Sequence, residues 1–201
     1  VFAAVLGVVL GLIAGFFGGM VDGIVMRIAD VFVSFPTILV ALLISGIARA
    51  QLSAETMLAW APLVLIFSIA INEWVQYART VRASTMVEIA RDYVRAAKVI
   101  GLPPTRIMGR HILPNIMSSV MVIATINLAG AILTEATLSF LGIGMPPSQP
   151  SLGTLIRLGN QFLFSGVWWV VLFPVVQLCL LVVSVNLLGD WLRDALNPKL
   201  R

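Results

Sequence analysis

The stretch STMVEIARDYVRAAKVIGLPPTRIMGRHILPN, residues 84–115, is a long charged passage in an otherwise apolar chain. Its apolar and charged residues recur at helical spacing on opposite sides, which predicts an amphipathic helix. Such a helix lies along a surface or in the groove of a partner and does not cross a bilayer. The predicted apolar side holds Ile89, Tyr93, Ala96, Ala97 and Ile100, and the predicted polar side holds Glu88, Arg91, Asp92, Arg95 and Lys98.

Sequence signals predict both ends of this helix. Thr85 and Glu88 have the spacing of a capping box, in which the two side chains satisfy free backbone N–H groups at a helix start. Gly101 and the Leu-Pro-Pro sequence after it form a helix stop, and Lys98 stands in the last turn, where a cation stabilises the negative end of the helix dipole. We therefore expect one helix from about Thr85 to Ile100, within a loop that covers residues 84–104.

The composition is that of an integral membrane protein. Hydrophobic residues make up 60% of the 201 positions and charged residues 11%, with a mean hydropathy of +1.04, which is more apolar than a soluble domain tolerates. The net charge of +4 reflects topology, since the basic residues are confined to particular loops. The positive charge is therefore explained by membrane topology, and we do not expect the chain to bind nucleic acid. The chain begins inside an apolar run, so we expect a further segment before Val1.

A helix needs about 20 apolar residues to cross about 30 Å of hydrocarbon, and five segments of this chain qualify. Pro36 is expected to kink the second, and the glycines at 7, 11 and 15 are expected to serve close helix packing. We predict an all-α, polytopic transmembrane bundle that forms one domain over residues 1–201. The predicted spans are residues 1–17, 24–48, 56–77, 112–134 and 167–188, with a loop that has room for a short helix at 135–161 and a charged tail at 190–201.

The basic residues predict the orientation of the chain. Eleven of the thirteen Lys and Arg residues, all except Arg49 and Arg157, fall on the side of the charged passage. Loops with an excess of Lys and Arg face the cytoplasm. The loop at 84–104 and the C-terminal tail are therefore predicted to be cytoplasmic, and the loop at 135–161 extracytoplasmic.

The sequence offers no candidates for catalysis. His111 and Cys179 are the single histidine and the single cysteine, so neither a metal cluster nor a Ser-His-Asp arrangement can be assembled. No G-x-x-x-x-G-K-[ST] loop is present to cradle nucleotide phosphates. We predict that the chain is not an enzyme, that it holds no metal or cofactor, and that another protein binds any ATP it uses.

Three polar side chains in or near the predicted spans are candidates for a transport pathway or its mouth. Glu73 would be costly in lipid without a partner, although its place six residues before Arg79 also permits an interfacial or interhelical pair. Glu135 either faces the mouth or makes a structural hydrogen bond to the following loop. Asn127 either lines the path or bonds between helices.

The order Arg95-Ala96-Ala97, three residues, Gly101, nine residues and then HILP at 111–114 resembles the EAA signature of importer-type ABC permeases. Two further runs, TEATLSFLGIG at 134–144 and LGDWLRDALNP at 188–198, resemble the dipeptide/oligopeptide/nickel branch of that family. Within the branch, the chain is most similar to the second, C-type permease subunit. The resemblance covers nearly the whole chain.

This resemblance implies a permease subunit in the bacterial inner membrane. Its partners would be a second related permease subunit, two cytoplasmic ATPases that hold ATP and Mg²⁺, and an extracytoplasmic substrate-binding protein. The 84–104 loop would dock on an ATPase, and closure of the two ATPases would move its helix as a rigid lever. Gly101→Asp or Ala97→Asp is then expected to abolish transport and to leave the protein in the membrane. The docking residues would be Asp92, Tyr93, Arg95, Ala96, Ala97, Lys98 and Gly101.

Two positions depart from the family signature. Arg95 stands in place of a glutamate, and His111 stands in place of an isoleucine. The ion pair that this glutamate is thought to form with a basic ATPase residue therefore does not carry over, and an acidic partner is expected for Arg95.

Two other functional classes stay open at this point. One is a self-contained secondary transporter that uses Glu73 and Glu135 as ion relays. The other is a membrane scaffold without a substrate. The cargo of an importer, whether peptide, nickel chelate, opine or glycan, is not encoded in any motif of this chain.

Overall fold

The computed structural model describes residues 1–146 and 148–195, and this part of the chain contains helices and turns but no strand. The all-α class predicted from the sequence is confirmed. In chain order the α-helices are α1 Phe2–Phe17, α2 Gly19–Val33, α3 Thr37–Gln51, α4 Ala54–Ile89, α5 Asp92–Val99, α6 Pro104–Arg106, α7 Leu113–Phe140, α8 Leu152–Gln161 and α9 Trp169–Ala195. A π-helical turn, Ile107–Ile112, joins α6 to α7, and a 3-10 turn, Leu163–Ser165, follows α8.

Three helical passages are long and apolar enough to cross a membrane, namely Glu55–Ile89, Pro104–Phe140 and Trp169–Ala195. The broken pair α2 and α3 adds a fourth if it counts as one span. The chain is thus polytopic, as predicted. The first of the five predicted spans, residues 1–17, forms α1, an apolar helix of 16 residues that is shorter than the three passages above.

The second predicted span is broken and not merely kinked. α2 ends at Val33 and α3 begins at Thr37, directly after Pro36. Proline lacks an N–H group, and its ring disfavours the helical conformation of the residue before it. The helix therefore ends ahead of Pro36, and the Ser34 hydroxyl donates a hydrogen bond of 2.8 Å to the Asp30 carbonyl oxygen at that end.

The third predicted span continues beyond Tyr77. The predicted capping box at Thr85 does not form, so the prediction that a helix starts there is wrong. α4 runs to Ile89 because no glycine or proline follows Pro62 within it. Thr85 is fully buried, and its hydroxyl has no hydrogen-bond partner among the residues that the structure describes. The first residues of the charged passage are therefore the last turns of a long helix.

Two other segments are more helical than predicted. α7 continues to Phe140, so Glu135 lies in a helix, and the chain turns at Gly142, whose φ of +83° favours glycine. α8 is the short helix expected in the loop, and a capping box of Ser151 and Thr154 opens it. α9 runs to Ala195, so residues 190–195 of the predicted tail are helical. Residues 196–201 of that tail lie outside the described residues.

Cα packing groups the helices into two units. The first unit is formed by residues 1–34, 72–125 and 188–195. In it α1 packs closely on α4: a methyl group added at Gly11 would lie 2.5 Å from the carbonyl oxygen of Ala78, and one at Gly15 would lie 2.8 Å from that of Arg82. Gly7 makes the same kind of approach to Trp74. The packing role predicted for these glycines is confirmed.

The second unit is formed by residues 35–71 and 126–187. Its buried core contains Ala41, Leu65, Ile69 and Leu138. α8 lies close to α7 in this unit, because a methyl group added at Gly153 would fall 2.7 Å from the Cα atom of Ala136. Close packing therefore holds the loop helix against the end of a long apolar helix.

Candidate functional site

The C-terminal end of the short helix α5 agrees with the sequence prediction, whereas its N-terminal end does not. It starts at Asp92, after a turn in which the Arg91 N–H donates to the Glu88 carbonyl oxygen at 3.0 Å. It stops as predicted at Gly101, where φ is +80°. The Leu102 N–H bonds to the Ala97 carbonyl oxygen at 3.1 Å and the Gly101 N–H to that of Lys98 at 3.0 Å, which is the Schellman pattern.

The buried face of α5 differs from the predicted one. Val94 and Ala97 are buried in a cluster with Ile107 and Ile112, whereas Ile100, which was predicted on the apolar side, is 77% exposed. The prediction assumed one continuous helix from residue 85. The turn before Asp92 starts a new helix, and the faces of α5 are therefore rotated relative to those of α4.

Two exposed apolar residues end α5. Val99 is 88% exposed and Ile100 is 77% exposed, next to the Gly101 stop. Burial of such a pair is favourable when a partner removes it from water. The tip of α5 is therefore an exposed apolar surface.

Tyr93 is the centre of a hydrogen-bond cluster, here called the Tyr93 cluster, that consists of Glu88, Tyr93, His111 and Asn115. The Tyr93 hydroxyl donates to the Glu88 carboxylate, and it accepts a bond of 3.1 Å from Nδ2 of Asn115. The same amide nitrogen donates to the carbonyl oxygen of His111 at 2.6 Å. Because Glu88 ends α4 and Asn115 begins α7, the cluster ties α5 to both of the long helices that flank it.

The electrostatics of this cluster keep Tyr93 protonated. Burial raises the pKa of Tyr93 to about 12, and the hydrogen bond and charge of Glu88 act in the same direction. A tyrosine with this pKa stays a hydrogen-bond donor throughout the physiological range. The link between α5 and α4 is therefore insensitive to pH near neutrality.

A cation–π contact adds a link between α5 and α1. The Nζ atom of Lys98 lies 5.1 Å from the centroid of the Phe16 ring, within the range of favourable contacts. Lys98 stands in the last turn of α5, and its head group is directed at the protein itself.

Six of the seven predicted docking residues fall into two groups, and the seventh, Gly101, is the helix stop described above. Tyr93, Ala97 and Lys98 contact other parts of the first unit, as described above. Asp92, Arg95 and Ala96 are exposed, and no ion pair joins Asp92 or Arg95 to another of the described residues. Val94, Val99 and Asn115 were missed. Asn115 was detectable as a polar residue next to Pro114 at the start of an apolar run.

The π-helical turn contains His111 of the Tyr93 cluster and leads directly into α7. Its last bond runs from the Leu113 N–H to the Met108 carbonyl oxygen, five residues back. Pro114 follows, and proline cannot donate a bond of the ordinary α-helical kind and crowds the carbonyl four residues before it. A wide turn ahead of Pro114 accommodates this residue without ending the helix.

Glu73 does not pair with Arg79. Its Oε2 atom is buried without a hydrogen-bond partner in the described part of the chain, and Arg79 instead binds Asp30 at 2.6 Å. Residues six apart lie on different sides of an α-helix, which explains why this pair does not form. A second ion pair joins Nε and Nη2 of Arg82 to the two carboxylate oxygens of Asp22, with Nη2 and Oδ2 2.5 Å apart.

Glu135 makes the structural contact that the sequence allowed. Its Oε1 atom accepts a bond of 2.6 Å from the Ser139 hydroxyl, which accepts one of 3.0 Å from the Met145 N–H in the following loop. Glu135 also lines a cavity of about 340 Å³. Asn127 is buried, and its Nδ2 atom has no hydrogen-bond partner among the described residues.

Similar proteins were found by sequence and by structure. The chain is 42% identical to the dipeptide transport system permease protein DppC of Escherichia coli (strain K12) over 178 residues, which are 89% of this chain and 56% of that protein. It is 36% identical to the di/tripeptide transport system permease protein DppC of Pseudomonas aeruginosa over 89% of this chain and 55% of that protein. The chain thus spans about half the length of these curated relatives.

A chain of the MetNI methionine ABC transporter, solved in inward-facing conformations, has a similar fold. The TM-score is 0.73 with 22% identity, over 98% of this chain and 88% of that one. Residues 7–201 match the family described as binding-protein-dependent transport system inner membrane component. The chain therefore belongs to this family of inner membrane components.

Proposed function

We propose that this chain is the permease subunit of an ATP-driven importer of short peptides or similar small solutes. Family membership and the names of its relatives as dipeptide and di/tripeptide permeases support the proposal. The observation that carries the mechanism is the attachment of α5. The Tyr93 cluster ties this short helix to α4 and α7 at one end, and the exposed apolar pair Val99 and Ile100 stands at the other.

In this mechanism α5 is the point at which energy enters the permease. An ATPase covers Val99 and Ile100, and its movement on binding ATP pushes α5. Since Val94 and Ala97 are buried and Tyr93 is bonded on both sides, α5 does not rotate freely but moves with the long helices. The push is thereby passed to the membrane-spanning bundle, which alternates between its two openings.

The partners follow from this role. Two cytoplasmic ATPases hold ATP and Mg²⁺, a second permease subunit completes the pathway, and a substrate-binding protein delivers the solute outside the inner membrane. The chain itself performs no catalysis. α5 and the C-terminal end face the cytoplasm, as the distribution of Lys and Arg predicts.

Arg95 is the residue that orients the ATPase on α5. Its guanidinium is exposed and forms no ion pair with another described residue. A carboxylate on the ATPase is the complementary group. Asp92 is exposed in the first turn of the same helix and adds a neighbouring negative charge that sets the register of the contact.

Substitution of Ile100 tests this role. Because Ile100 is exposed, Ile100→Asp should leave the fold and the membrane level intact while it prevents burial of the apolar tip. We expect the variant permease to lose co-purification of the ATPases and ATP-dependent uptake of dialanine in proteoliposomes. Phe164→Asp, at a 97% exposed position that is not part of α5, is the matched control and should retain the ATPases. Normal capture and uptake by Ile100→Asp would refute the docking role.

Ala97→Asp is a poorer test than Ile100→Asp. Ala97 is buried, so a carboxylate there lacks both water and a partner and destabilises the base of α5. Loss of uptake by this variant would reflect folding as much as docking. Gly101→Asp is cleaner, since a Cβ atom at Gly101 meets nothing within 4 Å and the cost is confined to its positive φ.

The secondary-transporter alternative is not favoured. Glu135 is bonded to Ser139 and through it to the loop, so one of the two proposed relays has a structural function. Uptake that persists with a hydrolysis-deficient ATPase, driven by a proton gradient alone, would favour that alternative over the importer.

A further inference from the structure

Two arginines on different helices of the second unit meet at one glycine. Nη2 of Arg49, near the end of α3, donates a hydrogen bond of 3.0 Å to the carbonyl oxygen of Gly142. The guanidinium of Arg157 on α8 lies against the same residue, because a methyl group added at Gly142 would fall 2.6 Å from its Cζ atom. Gly142, with φ of +83°, thus allows both cationic groups to approach one point.

Both guanidinium groups line a cavity of about 800 Å³, here called the arginine cavity. The described residues that line it include no aspartate or glutamate. Neither arginine forms an ion pair within the described part of the chain. Two neighbouring cations without a counter-charge repel each other, and an anion placed between them relieves that repulsion.

The donor geometry suits a carboxylate. A guanidinium presents five N–H donors in a fork that matches two carboxylate oxygens. The bond to Gly142 fixes the orientation of Arg49 and leaves most of its donors free. Thr154 and Gln161 add neutral polar groups to the wall, and Met57, Leu58, Met145 and Pro146 supply apolar surface.

We infer that the arginine cavity binds the carboxylate of a small, partly apolar solute, such as the C-terminal carboxylate of a short peptide. This inference rests on the proposed function for the identity of the solute. The volume falls within the range of small-molecule sites, and the apolar wall accommodates a side chain next to the carboxylate. The cavity is therefore a site at which the permease itself contacts the cargo.

An acidic side chain of a docked substrate-binding protein is the other source of a carboxylate. The concave shape of the site and its apolar wall favour the free solute, because a solute fills such a volume whereas a single Asp or Glu side chain reaches only the two cations. Binding is therefore measured with both sources.

The test uses the full-length permease in nanodiscs, without ATPase and without ATP. Isothermal titration with alanyl-leucine is compared with alanyl-leucinamide, which lacks the carboxylate. Loss of one charge-assisted contact should weaken binding by about tenfold. The amide lacks the charge that both arginines contact, so on the wild type we expect it to bind more weakly than alanyl-leucine by about tenfold or more. On Arg157→Gln, which keeps one of the two arginines, we expect alanyl-leucine to bind about tenfold more weakly. Arg49→Gln should behave alike, and the double variant should show no measurable binding.

Matched controls separate charge from position. Arg27→Gln removes the same charge from an exposed arginine outside the cavity and should leave the affinity unchanged. Arg49→Lys keeps the positive charge but loses the paired N–H donors of the guanidinium, so this variant should bind alanyl-leucine with intermediate affinity. The comparison of peptide with amide needs no variant, so a folding defect of Arg49→Gln cannot obscure the result.

Equal affinity for alanyl-leucine and its amide, or full affinity in the double variant, would overturn the inference. So would a double variant that fails to capture the purified substrate-binding protein yet still binds the peptide, since the carboxylate would then belong to that protein. Because the titration contains no ATPase, its failure is distinct from failure of the proposed function, which the Ile100→Asp experiment detects.

Discussion

Nδ2 of Asn115 donates a hydrogen bond of 3.1 Å to the hydroxyl oxygen of Tyr93. This bond joins the first turn of α7 to α5, and Tyr93 in turn donates to Glu88 at the end of α4. A single phenol therefore connects the short helix with both neighbouring long helices. If α5 moves as a rigid lever, the two hydrogen bonds of the Tyr93 hydroxyl transmit that movement to α4 and α7.

Tyr93→Phe should uncouple ATP hydrolysis from transport. The substitution keeps the ring but removes both hydrogen bonds, which contribute about 1–3 kcal/mol when a charged partner is involved. We expect the ATPases to remain bound and to hydrolyse ATP, while uptake per ATP falls by about tenfold. Uptake and phosphate release in proteoliposomes measure this ratio. Asn115→Ala should behave alike, and Asn160→Ala, at an exposed asparagine on α8, should not. An unchanged ratio in Tyr93→Phe would contradict the role of the cluster.

Optical titration should reveal the raised pKa of Tyr93. The raised pKa of Tyr93, about 12, means that the folded protein favours the protonated phenol. Its stabilising contribution is therefore complete below the unfolded pKa of about 10 and is lost as the pH rises towards 12. Absorbance near 295 nm should show a step near pH 12 that Tyr93→Phe abolishes. A Tyr93 step near pH 10 would show that the phenol is not held by Glu88 and burial.

Gly11→Ala should weaken the packing of α1 on α4. The added methyl group would lie 2.5 Å from the Ala78 carbonyl oxygen and 2.9 Å from Cβ of Val81, and overpacking of this kind costs about 1–3 kcal/mol. Gly23→Ala is the matched control, because nothing lies within 4 Å of a Cβ atom there and alanine favours the helix by about 0.5–1 kcal/mol. Thermal unfolding in detergent should show a lower Tm for the first variant and an equal or higher Tm for the second. The reverse order would exclude close packing as the function of the glycines.

The two ion pairs between α2 and α4 should differ in strength. Asp22 and Arg82 are joined by two bonds, from Nε and Nη2 of the arginine, and their side chains are 18% and 31% exposed. Asp30 and Arg79 share one bond and are 65% and 47% exposed. Asp22→Asn should cost about 1–3 kcal/mol because it leaves a partly buried guanidinium without its counter-charge. Asp30→Asn should cost less than about 1 kcal/mol, as exposed pairs do. Equal losses of Tm in the two variants would count against this ranking.

Local signals in the sequence predicted the features that depend on local geometry. The helix stop at Gly101 requires a positive φ that glycine adopts freely, so its place could be inferred from one residue and the prolines after it. The spacing of Gly7, Gly11 and Gly15 predicted close packing because residues four apart share one face of a helix. The loop at 135–161 was expected only to have room for a short helix, and the capping box of Ser151 and Thr154 that opens α8 was not identified.

Features that depend on a change of direction or on distant residues could not be predicted. Thr85 and Glu88 match a capping box, but burial of Thr85 in a long helix overrides that local preference. The turn at Arg91 then resets the helical register, so the predicted apolar face of α5 included Ile100 and omitted Val94. Arg49 and Gly142 are 93 residues apart, and no periodic pattern connects them. The sequence showed Arg49 and Arg157 only as two isolated cations on one side of the membrane.

The wide turn at Ile107–Ile112 fixes the rotational phase of the first turns of α7. Each residue advances an α-helix by about 100° and only 1.5 Å. Removal of one residue from the wide turn would therefore shorten the passage very little but would swing Asn115 about a quarter of a turn away from Tyr93. An insertion or deletion of one residue in this turn would therefore rotate the side chains of α7 about the helix axis. It would shift α7 along that axis by only about 1.5 Å.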